Sequence, residues 1–148
     1  MSNLVSHMRA SAEGGNADAQ FNLAVILGNG FDARGRFIGS QREEALTWLR
    51  KAANAGLCRA QCKLAQTYAG SDTVEDFEKG CAWFLVALDN TDGGSRAAAR
   101  EGYEKIVRLL MPEQIERART NARAWTAKIK SGRESRAHAI NALAKPWA

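Results

Sequence analysis

The sequence predicts an all-α fold: an α-solenoid of about three antiparallel helix pairs plus a basic C-terminal helix. Three observations predict it. Of the 148 residues, 27 are alanine, which favours helix and lets helices approach closely. Only two prolines interrupt the chain, Pro112 and Pro146, both late. The third observation is an internal repeat. Displaced by 41 positions, residues 12–24 fall on residues 53–65 with the shared pattern A-x-x-G-x-x-x-A-Q-x-x-L-A. Displaced by 35, residues 45–52 fall on residues 80–87. The change of offset puts six extra residues in the loop of the first unit.

Each element then has a local reason. Ala19, Leu23 and Leu27 recur at four-residue steps, as do Ala60, Leu64 and Tyr68. Each set makes an apolar stripe on the first helix of a pair. Ala45, Trp48, Leu49 and Ala52, with their counterparts Trp83, Phe84 and Ala87, form the stripe of the second helix. Gly56 follows that helix as a left-handed cap would. A third first-helix carries Ala99, Tyr103, Ile106 and Leu110, with Ser95 placed to cap its start. Pro112 suits the first position of the next helix, with Glu113 and Glu116 at its positive end. Ile115, Ala118, Ala122, Trp125 and Ile129 continue it to an expected end near Gly132. Residues 1–132 are thus expected to form the repeat domain, in units of about 10–52, 53–90 and 91–132. Residues 133–148 are expected to form a basic C-terminal helix or tail.

The AQxxLA stretch, the glycine-containing loop, Glu44-Ala45, Trp48, Lys51-Ala52-Ala53 and Gly56 together resemble the Sel-1-like repeat, a relative of the tetratricopeptide repeats. The resemblance covers about residues 10–90. In the second unit Glu78-Lys79-Gly80 and Leu88-Asp89-Asn90 depart from the pattern, as though the array degenerates towards its C-terminal side. What the resemblance implies is a protein-interaction module, with first helices lining a concave groove.

Composition excludes several function classes. With 45% hydrophobic and 25% charged residues, the chain has enough apolar material for a core and is not a disordered segment. No run of about 18 apolar residues occurs, so no spanning helix and no membrane partner are expected. Residues 1–9 lack a basic region leading into an apolar stretch, and the three cysteines fit a reducing compartment; a cytoplasmic protein is expected. Cys58 and Cys62 share a helix face, but a thiolate metal site needs a fourth ligand, and His7 and His138 lie near opposite ends, so the cysteines are expected to be small buried hydrophobes. No metal, no cofactor and no catalytic residue are expected, because no histidine base, phosphate-cradling Gly-Lys-Ser/Thr or unexplained carboxylate pair is present.

What remains are surfaces for another protein. Asp18, Phe21 and Val25 in the first unit, with Arg59, Cys62 and Gln66 in the second, flank the stripes and are expected to face the groove. Phe21 and Val25 are apolar where solvation would be expected; they are either partner contacts or covered by Leu4, Val5 and Met8. The expanded loop offers Phe31, Arg34, Arg36 and Phe37, aromatic anchors beside guanidinium groups; the alternative is that Phe31, Phe37 and Ile38 fold back on the core and the arginines are solvated. The third surface is electrostatic. Residues 1–116 carry 13 basic and 15 acidic side chains, whereas residues 117–148 carry 8 basic and one acidic. Arg117, Arg119, Arg123, Lys128, Lys130, Arg133 and Arg136 make this patch, and the alternative function it suggests is nucleic-acid binding. A homodimer is a further option, since a terminal repeat needs capping.

Overall fold

A computed structural model describes residues 3–29, 41–90 and 94–143. They form α1 (Asn3–Glu13), α2 (Ala17–Asn29), α3 (Arg42–Asn54), α4 (Cys58–Ala69), α5 (Val74–Asp89), α6 (Arg96–Ile106) and α7 (Pro112–Leu143), with a 3-10 turn at Val107–Leu109. No strand occurs among the described residues. Helices pack on their neighbours in order, from α1 on α2 through α4 on α5, and α5 then receives both α6 and α7. The all-α solenoid is as expected, with one helix in front of it; α2 with α3 and α4 with α5 pack as pairs, whereas α6 and α7 of the expected third pair both pack on α5.

That leading helix, α1, was signalled by the repeat itself. Residues 12–15 match residues 53–56, the end of a second helix, so a second helix must precede them. The turns are the same. Gly15 and Gly56 have φ of 96° and 95°, the left-handed conformation that only glycine adopts without strain. Asn16 N–H donates to Ser11 O and Leu57 N–H to Ala52 O, each at 3.2 Å, closing two equivalent caps. Helix starts are fixed by side chains. Asn16 Oδ1 accepts from Ala19 N–H at 3.0 Å, and Thr73 Oγ1 from Asp76 N–H at 3.2 Å. Ser95 holds the cap position of α6 but makes no side-chain cap bond. Pro112 opens α7, and Gln114 Oε1 reaches back to Met111 N–H at 2.7 Å, half of a capping box.

One boundary needs correction. The helix expected to end near Gly132 runs unbroken to Leu143, so residues 133–143 are its continuation and not a separate element. Gly132 is not among the glycines of positive φ. A lone glycine flanked by helix formers weakens a helix by about 1 kcal/mol, too little to end one of this length.

The predicted stripes make the core: Leu23, Leu27, Leu64 and Phe84 are fully buried, and Trp48, Leu49, Ala52 and Ala87 are buried with them. The departure at Gly80 has a packing cause. A Cβ there would lie 3.1 Å from both Ala65 O and Ile106 Cδ1, so the lack of a side chain at residue 80 eases the close approach of α5 to α4 and α6. Arg9 of α1 pairs with Glu44 of α3, whose Oε1 also accepts from Trp48 Nε1 at 3.3 Å. The guanidinium holds the Glu44 carboxyl below its ordinary value, against a smaller opposing effect of burial. The neck of the first pair is closed by Gln41 N–H donating to Leu27 O at 2.9 Å.

The repeated glutamines are buried hinges between units. Gln20 Nε2 donates to Ala12 O and Gln61 Nε2 to Ala53 O, both at 3.1 Å, each satisfying a carbonyl at the end of the preceding second helix. They differ at the other end of the amide. Gln61 Oε1 accepts from Asn90 Nδ2 at 3.0 Å, and Asn90 also donates to Gly56 O at 2.8 Å. Gln20 Oε1 is buried without a hydrogen-bond partner. Gln61→Leu is therefore expected to lower stability by about 2 kcal/mol, and Gln20→Leu by about 1 kcal/mol or less, because only the second removes an unmet acceptor. Urea unfolding of the two variants checks this; equal losses would contradict the asymmetry.

Candidate partner-binding site

The first helices α2 and α4 stand on either side of a groove of about 560 Å³. Val25 and Ala24 come from α2, Leu46, Leu49 and Arg42 from α3, and Lys63, Gln66 and Thr67 from α4. Its floor is apolar because these are the flanks of the core stripes, while its rim carries the polar ends of α3 and α4. A second hollow of about 450 Å³ lies between α4, α5 and α6, over Phe84 and Ile106. Gln66 and Gly70 line both, so the C-terminal half of α4 forms the ridge between them.

The structure sorts the six predicted groove residues into three groups. Val25 and Gln66 meet in the groove. Asp18, Phe21 and Arg59 meet one another instead. Arg59 forms an ion pair with Asp18 and lays its guanidinium 5.1 Å above the Phe21 ring. Asp18 and Arg59 occupy the same register in consecutive units, 41 residues apart, with opposite charges. This accounts for an apolar Phe21 on that face: a long cationic side chain of the next unit covers it. Cys62 is a correction. It is 4% exposed, one helical turn beyond buried Cys58 and on the same inward face, and is not among the residues lining either of the two hollows described above. Burial raises its thiol, as it pushes that of Cys81 up to about 11, so both are protonated and inert at neutral pH. Phe31, Arg34, Arg36 and Phe37 lie outside the described residues.

Sequence reasoning missed Arg42, Leu46 and Lys63. Leu46 carried a signal, an apolar residue beside but outside the Ala45, Trp48, Leu49 stripe. Arg42 and Lys63 carried none, because single cations on solvated helix faces are common.

The Sel1 repeat family matches residues 17–57 and 58–92, two adjacent repeats whose lengths equal the two offsets of the internal duplication. The chain belongs to the Sel1 repeat family. Each Sel1 repeat is one helix pair, α2 with α3 and α4 with α5. Among solved structures the chain is similar to c5321, a protective antigen present in uropathogenic Escherichia coli strains that displays an SLR fold. The identity is 27% and the TM-score 0.73, over 92% of this chain and 28% of that one. The chain thus spans less than a third of that relative's length. A comparison with curated proteins finds no match. Sel1 repeats are generally protein-interaction scaffolds.

The basic residues that follow the two Sel1 repeats are largely engaged within the chain. Arg117 pairs with Glu78 at 2.6 Å, Arg119 with Glu116 at 2.6 Å, and Lys130 with Asp89 at 3.4 Å. Arg123 donates to Thr120 Oγ1 and Arg136 to Ala55 O, both at 3.4 Å. Arg133 lies over Gly56, where a Cβ would stand 2.6 Å from its Nε. Lys128 is exposed. Among the described residues, no group of three His, Cys, Asp or Glu side chains is placed to hold a metal ion, and no helix is long and apolar enough to cross a membrane.

Proposed function

We propose that this chain is a non-catalytic protein-interaction module that receives a peptide or domain of another protein in the groove between α2, α3 and α4. The observation that carries the reading is the groove itself. Val25, Leu46 and Leu49 give it an apolar floor, while Arg42, Lys63 and Gln66 stand at its polar rim. Rigid helices on three sides hold these side chains in place before a partner arrives, which reduces the ordering that binding requires. Nucleic-acid binding by α7 draws less support, because its arginines are already committed to Glu78, Glu116 and the α3 turn.

The test is a comparative affinity capture from nuclease-treated lysate. Val25→Glu and Gln66→Glu are expected to lower recovery of a specific protein partner by about tenfold or more, a factor equivalent to one lost hot-spot contact. Thermal stability should be unchanged, and Lys128→Ala should retain the partner. Retention by both groove variants, with loss on Lys128→Ala, would move the function to the basic helix.

A further inference from the structure

The distal part of α7 has no apolar anchorage among the described side chains. Its seam of Ile115, Ala118, Ala122, Trp125 and Ile129 stops at Ile129, and residues 133–139 are all exposed. α5 and α7 run side by side in the same direction, as the Arg117–Glu78 pair in the second turn of α5 and the Lys130–Asp89 pair at its last residue show. α5 ends at Asp89, yet α7 continues to Leu143, roughly 20 Å further at 1.5 Å per residue.

What this overhang meets is negative. Lys130 reaches Asp89 at the last turn of α5. Arg136 donates to Ala55 O, and Arg133 covers Gly56, both at the C-terminal end of α3. Helix C-termini carry a partial negative charge on their unpaired carbonyls, and cations there are stabilising. Asn90 ties the two ends together through Gly56 O at 2.8 Å. Three cations of one helix thus converge on the ends of two others.

We propose that residues 130–139 of α7 are an electrostatic latch, closed on the C-terminal ends of α3 and α5 and opened by ionic strength. Opening frees Lys130, Arg133 and Arg136 together and uncovers the turn that joins the two Sel1 repeats. The latch is independent of the groove: it lies where second helices end, whereas the groove lies between α2 and α4.

Hydrogen exchange on the full chain tests it, at about 0.1 M and about 1 M salt, where the screening length falls from about 10 Å to about 3 Å. Amides of residues 131–139 are expected to exchange roughly tenfold faster at high salt, while those of residues 115–129 stay unchanged. At low salt the double variant Arg133→Ala/Arg136→Ala should reproduce the faster exchange, and Lys128→Ala should not. Alanine favours helix, so lost protection in the double variant reports lost contacts and not lost propensity. The latch is overturned if these amides ignore salt or ignore the double substitution. It is equally overturned if they are unprotected already at low salt, or if Lys128→Ala has the same effect as the double variant.

Discussion

Trp83→Ala is expected to remove about 4 kcal/mol of folding stability. Trp83 is 7% exposed, and its ring centroid lies 4.9 Å from that of Trp125, tilted by 32°. The pair joins α5 to α7, so the substitution opens a cavity and also removes the main apolar contact that seats the terminal helix. Trp125 is only half-buried; Trp125→Ala should therefore lower stability by less, about 2–3 kcal/mol. Denaturant unfolding followed by near-ultraviolet circular dichroism measures both effects, since either variant abolishes the coupled indole signal. A loss below about 1 kcal/mol for Trp83→Ala would show that α7 docks by other means.

Gly102→Ala is expected to destabilise by about 2–3 kcal/mol, the magnitude of overpacking a filled core. The sign is the informative part. Within an exposed helix the same change would stabilise by about 1 kcal/mol, because alanine favours helix. At position 102 a Cβ would stand 2.3 Å from Phe84 Cζ, so the buried ring of Phe84 must shift to admit it. Gly132→Ala is the matched control. Its Cβ would meet only Arg136 Nη1 at 3.6 Å, an ordinary contact, so a gain of about 0.5–1 kcal/mol is expected. Thermal unfolding of the two variants should move in opposite directions. A stabilising Gly102→Ala would mean that α6 can lift away from α5.

The fold was legible because duplication writes each feature twice. Ala60, Leu64 and Gly56 could be read against Ala19, Leu23 and Gly15, and every one of these occupies the position its twin implied. Where only one copy exists, reading was poorer. Gly132 looked like a helix end because a glycine at a cap and a glycine inside a long helix are spelled alike; only φ separates them. The candidate site was less legible for a related reason. Periodicity tells which residues point away from the core, but not which outward residues satisfy one another. Asp18, Phe21 and Arg59 were expected in the groove, yet their partners are each other, a contact between units that no single-helix pattern contains. Cys62 shows the opposite error: a residue flanking the stripe is buried, as is its neighbour in the preceding turn, Cys58, so the inward face is wider than the stripe.

The bond from Gln41 N–H to Leu27 O bears on how such a chain can change through descent. It fixes the two stems of the first pair at a hydrogen-bond distance whatever the number of residues strung between them. Closing a longer segment adds only a slowly growing entropic term, about 0.6 kcal/mol per doubling of length. The six residues by which the first unit exceeds the second therefore leave the stacking of the later helices undisturbed. Insertion, deletion or wholesale replacement between those stems is a cheap mutational event. The position is a natural port at which lineages, or an engineer, can change the length of the connection while the two stems keep their spacing.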